Sequence, residues 1–441
     1  MPDMVGLGQH EPTSLRGIAT RARARGDHRF QNLYRELDAG LLHASWHDLN
    51  KRAASGVDRV TAEAYERDLD ANIQRLAQRL KAKRYRTRLV RRCYILKDDG
   101  GQRPLGIPAL EDRLVQFACA KLLNAIYEQD FLACSYGYRP GRGAQDAISD
   151  LGFSLQYGRC GHVVEADIQG FFDHIDHDRL LEMLARRIDD RAFLDLIRKW
   201  LKAGILDTDG QVLHPESGTP QGGIVSPVLA NVYLHHVLDE WFEQVVKPRC
   251  AGQALLVRYA DDYVCAFQYQ RDAERFDRAQ RQRLAKYGLS VAPEKTRRLR
   301  FSRFHPGLAR RFSFVGFELY WGRDRHGVLR VRKRTAPKRL QRAKRGMKEW
   351  IRANRHLPAR AFAKALNRKL TGHYNYYGVR GNERSLASFY NHAIAAVYKW
   401  RNRRGGKRAS YTWAQFADAL KRLCVAKPAI TERRRRHAVP A

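Results

Sequence analysis

Apolar and polar positions follow two rhythms along this chain, and the changes between them mark its parts. From Phe30 to Ala54 apolar residues recur at helical spacing, with Leu33, Leu37, Leu41 and Leu42 on one face. A Ser-Gly-Val-Asp turn at Ser55 to Asp58 precedes a second helical stretch, Thr61 to Leu80. The period then drops to two. RYRTRLVRRCYIL alternates basic and apolar residues up to Leu96, which predicts a half-exposed strand with a basic face. KDDGGQRPLGIP supplies a Gly-centred turn between Lys97 and Arg103, and Leu110 to Asp130 returns to the helical period. HVVEADI, His162 to Ile168, is a short apolar strand reaching an aspartate. HPESGTPQGG reads as loop, and Ser226 to Phe242 as helix. In LLVRYADDYVCAF, Leu255 to Phe267, two apolar runs flank adjacent aspartates, the pattern of two strands joined by a tight turn. RFSFVGFELYW is strand-like as far as Trp321.

The pattern shifts after Arg330. Lys333 to Lys348 is densely basic, and apolar residues recur at helical spacing through Trp350, Ile351, Leu366 and Leu370. Further helices are predicted around Ser385 to Trp400 and Trp413 to Leu420. The expected organisation is a flexible Gly- and Arg-rich segment over 1–29, an αβ unit over 30–330, a small helical unit over 331–425 and a basic tail over 426–441. There is no internal repeat.

Charge narrows the partners. The 441 residues carry 82 Lys and Arg against 46 Asp and Glu, a formal net charge of +36 dispersed along the chain. Self-repulsion of that size suits a polyanionic partner, and nucleic acid is the foremost candidate. The seven cysteines form no CxxC pair, which argues against a zinc ribbon or a disulfide framework and fits a reducing cytosol. Met1 to His10 has no signal-peptide pattern, and no apolar run is long enough to span a membrane.

The candidate chemistry is carboxylate chemistry. A hairpin tip bearing Asp261 and Asp262 is a poor place to bury charge and a good place to hold a divalent metal. Asp167, at the end of its strand, supplies a third carboxylate, and three aspartates with substrate phosphates suffice for a two-metal phosphoryl-transfer site. An Asp-Asp pair in a hairpin is more often only a turn, so the pair gains meaning from its company. His174 and His177 with Asp173 and Asp176 read as a helix start capped by Asp176 rather than a metal cluster, and His235 and His236 lack a convincing ligand set.

That company makes the chain recognisable. In order it carries IPALEDRLVQ, SYGYRPGRGAQDAI, EADIQGFFDHIDHDRLL, GTPQGGIVSPVLANVYLHHVLDEW, RYADDYV, GLSVAPEKT and FSFVGFEL. From about Phe30 to Leu420 it resembles the reverse transcriptases encoded by group II introns. The resemblance implies an α/β right-hand polymerase whose fingers and palm hold an antiparallel sheet, followed by an α-helical thumb and maturase domain. It implies catalytic Asp167, Asp261 and Asp262, with Ile168 among the ligands of two Mg2+ ions, Mn2+ being an alternative. Lys97 and Arg103 are expected over the triphosphate, Gln221 against the incoming nucleotide, and Phe172 as a steric gate to the ribose 2′-OH, although one ring of the Phe171–Phe172 pair is expected to be core. Lys295 matches a lysine placed to protonate the pyrophosphate. Arg139 and Arg142 would line the template path, with Tyr136 and Tyr138 as stacking faces or packing residues.

The implied function is RNA-directed DNA synthesis together with splicing and mobility of the host group II intron. The partners would be intron RNA, an RNA template–DNA primer duplex, target DNA and dNTPs, with no membrane and with a homodimer left open. The implied location is the bacterial cytoplasm, in association with the nucleoid. Tyr374, Tyr376, Tyr377 and Trp400 would stack bases or form the core of the small domain. Many relatives continue into a Cys- and His-bearing endonuclease, whereas here Cys424 is the only late cysteine, so the expected form is the short, endonuclease-less, class C-like one. Two other readings stand beside this one: a domesticated reverse transcriptase serving phage defence or DNA repair, and an RNA-binding splicing factor without polymerase activity.

Overall fold

The structure is a computed structural model that describes residues 13–96, 100–219, 222–306, 310–324, 326–403 and 410–432. The first element among the described residues is α1 (Thr13–Ala24). From residue 13 on this corrects the expectation of a flexible segment over 1–29: Leu15 and Ala22 are buried in the main core, where α1 packs on α5 (Leu110–Tyr127). The stretch 30–54 is not one helix. Asn32 takes a left-handed φ of 61°, a short 3-10 turn follows at Leu33–Glu36, and Asp38 restarts the chain by capping α2 (Ala39–Asp48) through Leu41 N–H. The next stretch is also split, into α3 (Ala62–Glu66), capped by Thr61, and α4 (Leu69–Lys81).

The strands β1 (Val90–Leu96) and β2 (Gln102–Ile107) form an antiparallel hairpin. With β4 (Ile205–Leu206) and β5 (Val212–Leu213) they build a sheet of order β2-β1-β4-β5. α5 is buried along almost its whole length, and its polar residues Asp112, Arg113, Gln116, Lys121 and Asn124 are buried with it. After α6 (Ala144–Tyr157) comes β3 (His162–Asp167), followed by α7 (His177–Ala185) and α8 (Arg191–Leu201). α9 covers only Ser226–Leu234; beyond it the helix widens into π turns at His235–Asp239 and Phe242–Val246.

β6 (Ala254–Tyr259), β7 (Asp262–Phe267), β3 and β8 (Arg297–Arg300) form an antiparallel sheet of order β6-β7-β3-β8, flanked by α10 (Gln270–Ala285). Both faces of this sheet are covered, which is why its central strands are apolar at consecutive positions. Val164, Ala166, Cys265 and Phe267 join the main core with α5 and α9; Val163, Val257, Val264 and Ala266 join a second core with α6. The second core also holds the sheet of β9 (Phe312–Phe314), β10 (Phe317–Arg323) and β11 (Leu329–Thr335).

The sequence-expected boundary at 330 falls inside β11, and the helical region starts at Pro337 with α11 (Pro337–Asn354). α12 (Ala359–Tyr377), α13 (Glu383–Asn402) and α14 (Trp413–Arg422) complete a third core, centred on Leu366, Leu370 and Phe389. Their outer faces are basic: Lys338, Arg345, Lys348, Lys364, Arg368 and Lys369 are exposed. The segment after α14 is held as far as Glu432, whose N–H donates to Gly378 O and whose carboxylate lies 3.5 Å from Lys333. The rest of the expected basic tail lies outside the described residues. No helix among the described residues is long and apolar enough to cross a membrane.

Candidate active site

β3 and β7 are neighbours, and their pairing sets Asp167 opposite Asp262. β6 and β7 close at the Tyr259–Asp262 pair, leaving Ala260 and Asp261 as a two-residue turn with Ala260 at φ 56°, the left-handed conformation such hairpins need. Ile168 N–H donates to Asp261 O at 3.3 Å, which ties the end of β3 to that turn. Strand pairing therefore brings Asp167, Asp261 and Asp262 to one edge of the sheet. Ile168 has a buried side chain with no ligand atom, so its expected ligand role falls to its backbone carbonyl.

Electrostatics mark the same point. Burial and the nearby Asp167 charge push the Asp261 carboxyl up to about 6. Asp262 is also pushed well above the usual carboxylate range, first by burial and then by Asp167. Mutually repelling, part-buried carboxylates with only oxygen donors fit a hard divalent cation. Lys295 Nζ lies 2.5 Å from Asp167 Oδ2, and that contact raises the ammonium's pKa. The sequence did not bring Lys295 and Asp167 together; the Ala292 N–H bond to Asp167 O, 2.8 Å, does so locally.

The two phenylalanines separate. Phe171 is core, packed towards Tyr233, whereas Phe172 is half-buried and meets Tyr138 edge to face at 6.2 Å. Thr219 N–H donates to Phe172 O at 2.7 Å, so Gly218 and Thr219 are fastened to the Phe172 segment. On its other side Gly222, at φ 112°, lies so close to β2 that a Cβ would sit 2.4 Å from Gly106 O. Lys97 and Gln221 lie outside the described residues. Arg103 is exposed on β2, and its charge is felt at Tyr138 and Asp261.

Arg139 does not line a template path. Its guanidinium is buried, paired with Glu128 at 3.0 Å and bonded to Leu132 O and Ser135 O. Arg142 also turns inward, donating to Ala133 O at 2.8 Å and lying over the Tyr136 ring. Tyr136 is core, its hydroxyl bonded to Asp150. Tyr374 is buried, and Tyr376 and Tyr377 pack on Phe317. His174 and His177 bond Gly170 O and Gly218 O, while Asp176 caps α7. His235 and His236 gather on Glu240, at 3.5 and 2.7 Å, with the Arg186 charge also acting on that carboxylate.

One network went unread in the sequence. Arg258, wholly buried in β6, pairs with Asp239 and also bonds Asn231, Ser135 Oγ and Ala260 O. It braces the aspartate turn from beneath. The signal was present, a charged residue inside an apolar strand and an aspartate on an apolar helix, each needing a partner.

Comparison with known proteins agrees with this geometry. Residues 95–319 match the family described as Reverse transcriptase (RNA-dependent DNA polymerase). The chain is 42% identical over 173 residues to the "Uncharacterized 91 kDa protein in cob intron" of Schizosaccharomyces pombe, covering 39% of this chain and 21% of that protein. It is 36% identical over 238 residues to "Protein YkfC" of Escherichia coli, covering 52% and 61%. It is 38% identical over 236 residues to the "Group II intron-encoded protein LtrA" of Lactococcus lactis, covering 52% and 38%. The chain thus spans less than two thirds of each of these relatives.

Proposed function

This chain belongs to the reverse transcriptase (RNA-dependent DNA polymerase) family, and from that premise we propose that it copies RNA into DNA and serves a group II intron as its maturase. Its antiparallel sheets and mostly helical C-terminal region fit a right-hand polymerase. The observation that carries the reading is the convergence of Asp167, Asp261 and Asp262 on one sheet edge.

In the proposed reaction a primer 3′-hydroxyl attacks the α-phosphorus of a dNTP. A phosphodiester bond forms, the bond to the β-phosphate oxygen breaks, and pyrophosphate leaves. Asp167, Asp261, Asp262 and the Ile168 carbonyl would hold the metal. Two Mg2+ ions, when bound, supply Lewis-acid activation of the hydroxyl and charge neutralisation on the leaving group. Arg103 and Lys97 bind the triphosphate, Arg103 through its bidentate fork. Phe172 blocks a ribose 2′-OH, and Gln221 contacts the nucleotide. Lys295, poised beside Asp167, delivers its proton to the departing pyrophosphate.

The exposed basic faces of α11 and α12 suit phosphate and 2′-OH contacts on a template–primer duplex and on structured intron RNA. The name of the Lactococcus relative supports the intron assignment. Extension of oligo(dT) on poly(rA) by the purified protein tests the polymerase; sequencing the RNA that co-purifies tests the intron partner. Absence of dTMP incorporation removes the first, and RNA without intron domains removes the second.

A further inference from the structure

Phe172 cannot act as a gate unless its ring is held still, because a small displacement is enough to admit a hydroxyl. Phe171 supports it from the core at 5.5 Å. The other ring on it, Tyr138, comes from a distant part of the chain and meets it edge to face, with an interplanar angle of 75°. We propose that Tyr138 is a positioning residue that fixes the Phe172 ring and thereby sets the preference for deoxyribonucleotides over ribonucleotides. This rests on the reading of Phe172 as the gate.

The backbone around Tyr138 is built to place that ring. Tyr138 has a φ of 59°, a left-handed conformation that a bulky residue adopts only under constraint. The constraint lies on both sides. Tyr136 N–H donates to Arg258 O at 2.9 Å, and Asn231 donates to Gly137 O at 2.8 Å. Gly137 is pressed against the aspartate turn so closely that a Cβ would sit 2.4 Å from Ala260 N. On the far side Arg139 is locked by Glu128. The strained residue is thus clamped between the catalytic hairpin and the α5 end, and strain held this way gathers at functional sites. Tyr138 also feels the opposing charges of Asp261 and Arg103, so its ring stands where metal ligand, triphosphate ligand and sugar gate meet.

The test is single-nucleotide incorporation of dCTP against CTP on an RNA template, with kcat and KM measured for each. The variants are Phe172→Ala, Tyr138→Phe, Tyr138→Ala, Tyr138→Asn and the Phe172→Ala/Tyr138→Asn double. Asparagine tolerates the left-handed backbone, so Tyr138→Asn removes the ring without adding strain. Phe172→Ala should collapse discrimination. Tyr138→Asn should lower the dCTP/CTP ratio of kcat/KM about tenfold, chiefly through a lower KM for CTP. Tyr138→Phe should keep the wild-type ratio, and the double should discriminate no worse than Phe172→Ala alone. Wild-type discrimination in a folded Tyr138→Asn enzyme, with discrimination lost in Phe172→Ala, overturns the proposal and spares the gate. Wild-type discrimination in Phe172→Ala overturns the gate itself.

Discussion

The backbone N–H of Val315 donates to Asp262 Oδ2 at 3.3 Å. The same residue's carbonyl accepts from the Tyr376 hydroxyl at 3.1 Å, and the Tyr376 ring stacks on Phe317. Asp262 is therefore anchored through the β9–β10 turn to α12, in the helical region. Asp261 sits instead in the two-residue turn of the β6–β7 hairpin. The two aspartates are adjacent in sequence but not equivalent in their support.

This anchoring sets the effect of Tyr376→Phe. Losing one hydrogen bond of about 1 kcal/mol at the turn should lower kcat about fivefold and leave KM for dNTP unchanged, because no substrate contact is removed. Single-turnover primer extension measures it. An unchanged rate, or a change confined to KM, contradicts the relay.

Metal binding should depend on pH with a definite sign. In EDTA-treated protein the folded Asp261 keeps its proton to about 6, while the unfolded chain releases it near 3.8. The folded-state pKa is raised, so stability falls as pH rises through that window. Mg2+ competes with the proton, so the rise in Tm on adding Mg2+ should be large at pH 7.5 and shrink below pH 6. Asp261→Asn should flatten both responses. Equal Mg2+ shifts in wild-type protein at pH 5 and pH 7.5 contradict the assignment.

The Arg258–Asp239 pair is a stability element. Both side chains are wholly buried, so Asp239→Ala leaves an uncompensated guanidinium and should cost about 3–5 kcal/mol in denaturant unfolding. Replacing both residues with apolar ones should recover much of that loss. Activity should not return with it, because Ala260 O loses its donor beneath the aspartate turn. A single variant within 1 kcal/mol of wild type, on the order of a surface substitution, rules the role out.

Lys364 and Arg368 lie exposed on one face of α12. If they bind phosphates, the double alanine variant should weaken RNA binding regardless of sequence and reduce the salt slope of log Kd by about 2. Fluorescence anisotropy over a salt series reads this, and an unchanged slope removes α12 from the interface.

Much of the site was legible because its signals are local. The β6–β7 hairpin is two apolar runs around a tight turn, and β3 ends on its aspartate, so strand pairing brings the three aspartates to one sheet edge. What stayed hidden depends on packing. The Phe171–Phe172 pair has no sequence feature that tells which ring is core; packing decides it, with Phe171 buried towards Tyr233 and Phe172 half-buried against Tyr138. Arg139 was expected on the template path through the resemblance, yet Glu128 at the end of α5 pairs with it and keeps it buried. In α1, Leu15, Ile18, Ala19 and Ala22 do form a helical stripe, but Gly17 and the arginines masked it. The π turns after Leu234 follow neither the helical nor the strand period, so a regular helix was the natural expectation there.

The central claim is that Asp167, Asp261 and Asp262 form the site of RNA-templated DNA synthesis. Primer extension by wild-type protein and Asp261→Ala, at equal template–primer occupancy with Mg2+, tests it most directly. The account predicts wild-type incorporation of dTMP on poly(rA)/oligo(dT) and a loss of at least about a thousandfold in the variant, with duplex binding retained. Equal extension by the two proteins would contradict it.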